Sequence, residues 1–436
     1  MSAPSQPPDS PARPAPVARV LACRRAGLPP AVPVMSRLPA PLAQLVPRLC
    51  DPSSLGFPLA TDIDFRPILP VLGMPAIQLG DPRRAGAETR NVDELERQVV
   101  QRMLGIFKAP SGWWGYVGSG STAAIRHAIT LAVSHFGEVP VLYSSSAAHT
   151  CVGKIAAELR LPHTIVRACR DGSIDPAGLR AAADPDRAAI LIVTAGTTTT
   201  EAVDDLTACR AALRAGGVTR VWVHTDAALA GVPLALSPAP PPVVRLDVWG
   251  RPDSLSLSGH KFLGTLAPCS VLLLRPGTIT SQVLPYTNDA DVTAEGCRSG
   301  HSVIRLWWVL HTLSDRALAA RAASCRDLAA MATERLRRAG IRAWRHPHAM
   351  TVVLPRPPEQ VRARWRLPHG DPSRIVVMPG RDPSALVACL DDLVRAAGSP
   401  AQRTESRMGA FAAAVNGAVS GTVNGARIGS AAFRCG

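Results

Sequence analysis

Residues 221–264 read VWVHTDAALAGVPLALSPAPPPVVRLDVWGRPDSLSLSGHKFLG. Two short runs in this stretch are closed by polar clusters. VWVHT closes on Asp226, and SLSLS closes on Gly259, His260 and Lys261, with Lys261 35 positions after Asp226. Similar runs recur at VPVLYSSS (139–146), AAILIVTAGTT (188–198) and SVLLLRP (270–276). Short apolar runs bounded by turn residues have the pattern of buried strands in a mainly parallel sheet. GYVGSGSTAAIRHAITLAV (115–133) reads as strand or turn followed by a helix over Thr122–Ala132. Another helix is expected after Asn91, a cap with Glu94 at the capping-box position, which puts Val92, Leu95, Val99, Met103 and Ile106 on one face. Helical patterns between several of the runs are what crossover connections require, so the fold class is α/β.

Open α/β sheets bind ligands just beyond their strand ends, which makes the residues there candidates for chemistry. Asp226 is placed either to cap a helix or to pair with the protonated ring nitrogen of pyridoxal phosphate (PLP). Lys261 is either an exposed loop lysine or a desolvated, nucleophilic amine. The chain has only three lysines, Lys108, Lys154 and Lys261, among 48 basic Lys and Arg residues. Arginine cannot form an imine, so a primary amine kept at a strand end narrows the candidates. Gly118, Ser119, Gly120, Ser121 and Thr122 enter a helix, where backbone N–H groups and hydroxyls suit a phosphate or simply cap. His149 is positioned either to stack on a pyridine ring or to serve a structural role. Thr197 and Thr198 offer hydroxyls to cofactor or substrate, or form a hydroxyl-closed turn.

Composition sets the bounds. A chain of 436 residues exceeds one typical core. Residues 1–50 are rich in Pro and Ala and read as disordered, with Met35 an alternative start to Met1; 51–300 read as a large cofactor-binding domain. A helical region from about Ser302, followed by short strands, gives a small C-terminal α/β domain over 301–400, and 401–436 read as a low-complexity tail. Hydrophobic residues make up 47% of the chain, yet no run approaches the roughly 20 needed to span a bilayer. With no signal-peptide core at the N-terminus, the expectation is a cytoplasmic protein without a membrane partner. The net charge of +15 comes from scattered arginines interleaved with acids, without a nucleic-acid-binding signature. Ten cysteines form no CxxC pair and no His cluster has metal-ligand spacing, so free thiols and no metal are expected.

The order phosphate turn, His149, Thr pair, Asp226, Lys261 resembles that of the pyridoxal-dependent group II amino-acid decarboxylases, and within them the bacterial PLP-type histidine decarboxylases. Family stretches HxDAALSG, SGHKxIGxPxPCG and GTTxxGAxDDI are similar to HTDAALAG (224–231), SGHKFLGTLAPCS (258–270) and GTTTTEAVDDL (196–206). DTHYSVAKI is similar to AAHTCVGKI (147–155), and AWRNPHSxTVVFPRP to AWRHPHAMTVVLPRP (343–357). The resemblance runs from about Gly80 to Ala397. It implies the fold type I, aspartate-aminotransferase-like architecture and a homodimer with active sites at the subunit interface. It also implies that Lys261 holds PLP as a Schiff base, Asp226 pairs with the ring nitrogen, His149 stacks on the ring and Ala228 packs on its other side. Gly120, Ser121, Ser258 and His260 would then contact phosphate, with Thr122 and Thr197 among the cofactor-binding residues.

Three family motifs are altered. GGTEGN becomes GSTAAI (120–125), leaving Ala123 and Ile125 at polar positions; Ala147 stands at an Asp; and GSRNG becomes GCRSG (296–300). The implied reaction is decarboxylation of an L-amino acid, L-histidine to histamine. The alternatives are another PLP-dependent substrate or reaction, such as an aminotransferase, and a degenerate, non-catalytic homologue.

Overall fold

The computed structural model describes residues 38–84, 92–278, 282–284 and 289–398. Asn91, Met1, Met35, Cys23, Cys435, the tail 401–436 and most of the segment 1–50 lie outside the described residues. Met1–Pro52 separates as one unit, and its described part holds two four-residue helices, Ala40–Ala43 and Val46–Leu49. Each carries its proline in the first turn, where a missing N–H costs nothing, so these prolines are compatible with helix at the end of a stretch read as structureless.

From Ser53 onward the chain forms a second unit. Its main sheet has seven strands among the described residues: β1 Trp114–Gly118, β2 Val141–Ser145, β3 His163–Val166, β4 Ala189–Thr194, β5 Val221–Asp226, β6 Ser254–Ser258 and β7 Ser270–Leu274. They lie in the order β1-β7-β6-β5-β4-β2-β3, and only β7 runs against the rest. Every residue of β4 is buried. Leu191 and Val193 enter one apolar cluster with Val223 and Leu257, while Ile190 and Ile192 enter another with Trp222. Both faces of the sheet are covered, which is why these strands lack polar–apolar alternation.

The helices framing the site are α1 Asp93–Ile106, α2 Ser121–Phe136, α3 Cys151–Glu158, α4 Leu206–Ala215, α5 Gly300–Thr312, α6 Asp315–Arg338 and α7 Pro383–Ala396. On α1, Val99, Met103 and Ile106 are buried, and Val92 and Leu95 pack against the same core. The Glu94 carboxylate takes Arg97 and Gln98, each at 2.9 Å. Helix α2 extends beyond the expected Thr122–Ala132 at both ends. β8 Thr351–Leu354 pairs antiparallel with β9 Ser373–Val376. Met350, Val352 and Leu390 share the cluster that holds Leu55, Val193 and Leu257, so the C-terminal elements are packed into the same core as the sheet.

Candidate active site

Sheet register assembles the site. Asp226, the last residue of β5, lies opposite Thr194 at the end of β4 and Ser256 of β6. Its Oδ1 accepts the Ala228 N–H at 3.1 Å, which aims the chain after β5 back over the strand end. It does not cap the following helix Gly231–Ala235, whose N-cap is Ala230. Just after β6, Lys261 sits in the single turn Gly259–Leu263. Gly259 donates its N–H to the Cys269 carbonyl at 2.9 Å, and a Cβ there would lie 2.4 Å from the Cys269 sulfur. Only glycine permits that approach, so the turn presenting Lys261 is fixed by its neighbour two residues back.

These strand ends open on a cleft of about 530 Å³, within the range of small-molecule sites. Gly120, Ser121, Thr122, His149, Asp226, Ala228, Ser258, His260 and Lys261 all line it. Ser121 Oγ and Ser258 Oγ are 2.7 Å apart, joining the N-terminus of α2 to the end of β6. His149 Nδ1 accepts the Cys151 N–H at 3.2 Å, which leaves its ring at the head of α3. Thr197 is the exception among the expected residues. It is buried outside the lining, its Oγ1 pairs with Thr200 Oγ1 at 3.0 Å and accepts the Ala202 N–H at 3.0 Å. The turn consumes that hydroxyl, and Thr198 alone of the pair reaches the cleft.

Burial holds the Lys261 ammonium below the ordinary lysine range, against the opposing pull of the Asp226 carboxylate. That favours the neutral, nucleophilic amine. Lys108 and Lys154 are exposed and are not among the residues lining the cleft. Burial, reinforced by Asp226, pushes the Cys151 thiol up to about 11, so this cleft-lining cysteine is protonated near neutrality. Burial also lowers His260. Cys151, Thr194, Arg126, Pro268 and Glu295 line the cleft too and were not singled out by sequence. Thr194 ends a strand exactly as Asp226 does in register, so the strand-end rule pointed to it; Glu295, held by the Ser119 hydroxyl, carries no such local signal.

The donor set fits PLP. His260 Nδ1 and Thr194 Oγ1 are buried and have no hydrogen-bond partner among the described residues, as expected of groups that await one. Two serine hydroxyls, Thr122 and the first turn of a 16-residue helix suit a phosphate; a carboxylate and a desolvated amine suit the ring nitrogen and the aldehyde carbon. Among the described residues no group of three or more His, Cys, Asp or Glu is arranged to hold a metal ion.

Comparison with known proteins gives the family. Residues 126–341 match the pyridoxal-dependent decarboxylase conserved domain, a span that contains His149, Asp226 and Lys261. A histidine decarboxylase of Mesorhizobium japonicum is 34% identical over 333 residues, covering 75% of this chain and 89% of the relative. A histidine decarboxylase of Vibrio campbellii is 31% identical over 352 residues, covering 78% and 90%. Among solved structures, L-methionine decarboxylase from Streptomyces sp. 590 superposes with a TM-score of 0.72 at 22% identity, covering 82% of this chain and 96% of that one. Glutamate decarboxylase of Lactobacillus brevis gives 0.66 at 17% identity, covering 82% and 92%. The structural likenesses show the fold, that of the type I PLP enzymes. With a relative above 30% identity matched over most of its length, and a cleft whose donors suit the cofactor, the chain belongs to the pyridoxal-dependent decarboxylase family.

Proposed function

We propose that this PLP-dependent decarboxylase converts L-histidine to histamine and CO2, with Lys261, Asp226 and His149 as its catalytic residues. The likeness to two histidine decarboxylases over 89% and 90% of their lengths carries the choice of substrate. Bound PLP supplies an electron sink for the charge left when a carboxylate departs as CO2. Lys261 holds the cofactor through its amine, which burial keeps available. Asp226 holds the proton on the ring nitrogen, and its Oδ1 stays oriented by the Ala228 N–H. His149 and Ala228, both in the cleft lining, would cover the two faces of the ring. Ser121, Ser258, His260, Gly120 and Thr122 hold the phosphate, and Thr198 takes the place at the cleft wall first expected of Thr197.

The same proposal takes the protein as a cytoplasmic homodimer. Leu69, Val71, Met74 and Leu266 are exposed apolar side chains of the kind a subunit interface covers. No helix among the described residues is long and apolar enough to cross a membrane. Ala123, Ile125 and Pro268 in the cleft wall favour a second reading, an L-amino acid with an apolar side chain.

The test is PLP-saturated enzyme supplied separately with L-histidine, L-serine, L-valine, L-methionine and aromatic amino acids, scoring CO2 and amine. Histamine with CO2 is the expected result. CO2 with another amine and no histamine moves the substrate to that amino acid. No product from any of them supports the degenerate homologue.

A further inference from the structure

We propose that Glu201 is a positioning residue whose side chain struts the turn after β4 against β8, and so sets the place of Thr198 in the cleft wall and the affinity for substrate. The inference rests on the reading of the cleft as the substrate site. The turn is closed on itself: Gly196 and Thr197 donate their N–H groups to the Ala202 carbonyl at 3.0 and 2.9 Å, and Glu201 N–H returns to the Thr197 carbonyl at 2.8 Å. Thr198 is the exposed tip that reaches the cleft. Three residues on, Glu201 is fully buried with φ +56°, a backbone region that favours glycine. Its Oε2 accepts the Met350 N–H at 3.1 Å and the Thr351 hydroxyl at 2.6 Å, while its carbonyl accepts His348 Nε2 at 2.9 Å. Oε1 is buried without a hydrogen-bond partner among the described residues.

A left-handed non-glycine backbone and a buried carboxyl are both unfavourable, and they coincide at one residue. What they secure is a three-point attachment between the cleft-wall turn and the start of β8. The groups that face Glu201 are Arg326 and Cys325 on α6 and Arg345 and His348 ahead of β8. Arg345 Nη1 is committed to the carbonyls of His346, Pro347 and Ala349. Burial keeps His348 low and pushes Cys325 up to about 12, so both are neutral here. Burial raises the Glu201 carboxyl to about 7, against the opposing pull of the Thr351 and Met350 hydrogen bonds and, last, of Arg326. Once ionised it is a buried charge whose Oε1 has no donor among the described residues; hydrating that oxygen requires the turn to lift, and Thr198 moves with it.

The experiment follows the full-length, PLP-loaded protein, comparing wild type, Glu201→Gln and Glu201→Gly from pH 6 to 9. It reads KM, kcat, the visible absorption of bound cofactor, and hydrogen exchange in peptides spanning 196–202. Glycine suits the backbone but removes the strut; glutamine keeps acceptors and cannot ionise. For wild type, KM rises about 10-fold above pH 7, what a net hydrogen bond or two is worth, with kcat little changed. Glu201→Gln holds the low KM across the range. Glu201→Gly has the raised KM already at pH 6, faster exchange in 196–202, and unchanged cofactor absorption. Wild-type KM in Glu201→Gly at pH 6, or a wild-type pH profile in Glu201→Gln, overturns the proposal; the second comparison stands if the glycine variant does not fold. Faster exchange in Glu201→Gly, with no amino acid turned over by wild type, counts for the strut and against the reading of the cleft.

Discussion

Lys261 differs from the other lysines of the chain by burial and by place, and Asp226 from the other buried aspartates by its place in the cleft lining. Lys108 stands exposed in a left-handed turn with φ 54°, and Lys154 is exposed on α3, whereas Lys261 projects from a turn fixed at Gly259 into the cleft. Lys261→Ala should therefore abolish the visible absorption of lysine-bound cofactor, while Lys108→Ala and Lys154→Ala retain it. Borohydride reduction and peptide mapping give an independent check, and label on Lys154 would sink the assignment. Asp226 allows a finer test because asparagine keeps an oxygen for the Ala228 N–H. Asp226→Asn should preserve fold and cofactor occupancy yet lose the charge that retains the ring proton. Losing one such preorganised interaction costs about 10²–10³ in kcat. Near-normal turnover at full occupancy would count against Asp226 in that role.

At the scale of elements, local pattern revealed what local physics decides. The runs at 188–198 and 221–226 were legible because both faces of β4 and β5 are buried, and the α1 face was legible through its spacing. The strand-end rule then led to Asp226 and, in the turn just after β6, to Lys261. The Thr pair was legible only as a pair, since which hydroxyl the turn consumes depends on Thr200 and Ala202. Glu201 was not legible at all: its partner Thr351 lies 150 residues away. The same holds for the buried ion pair between Glu96 on α1 and Arg298, 202 residues on. Glu96 Oε1 also accepts the Val117 N–H at 2.6 Å, and Arg298 donates to the Val117 carbonyl at 2.9 Å, so the pair clamps β1 just before the phosphate turn. Arg298→Met should destabilise the protein by about 3–5 kcal/mol, because it strands the Glu96 charge in the interior. Glu96→Gln combined with Arg298→Met should recover much of that loss. Urea midpoints of wild type and the two variants measure this, and a single Met variant within error of wild type would refute the clamp.

For the molecule as a whole, the apolar cluster that joins β4 and β8 makes a local titration visible in global stability. Several buried groups pull in different directions. His224, between Ser254 and Ser256 hydroxyls at 2.8 and 3.0 Å, is lowered by burial to about 3, so its contribution is lost as pH falls from 6.5 toward 3. Asp204, raised by burial to about 6, acts in the opposite sense. Comparing wild type with Glu201→Gln cancels these shared terms and isolates one carboxyl. Its ordinary value is 4.5 and its folded value about 7. Between those values the folded chain holds a proton that the unfolded chain has released. The stabilisation is therefore complete below pH 4.5 and is lost as pH rises through 7, at about 1.4 kcal/mol per pH unit. Glutamine has no proton to lose. Whatever its stability at pH 5, the variant should gain roughly 2–3 kcal/mol relative to wild type by pH 8, nearly all of it before pH 7.5. Urea unfolding of both proteins at pH 5, 6.5 and 8 measures the difference. Parallel stability profiles would mean that Glu201 is already ionised in the fold at pH 5, with the Thr351 and Met350 hydrogen bonds and Arg326, rather than burial, governing its charge.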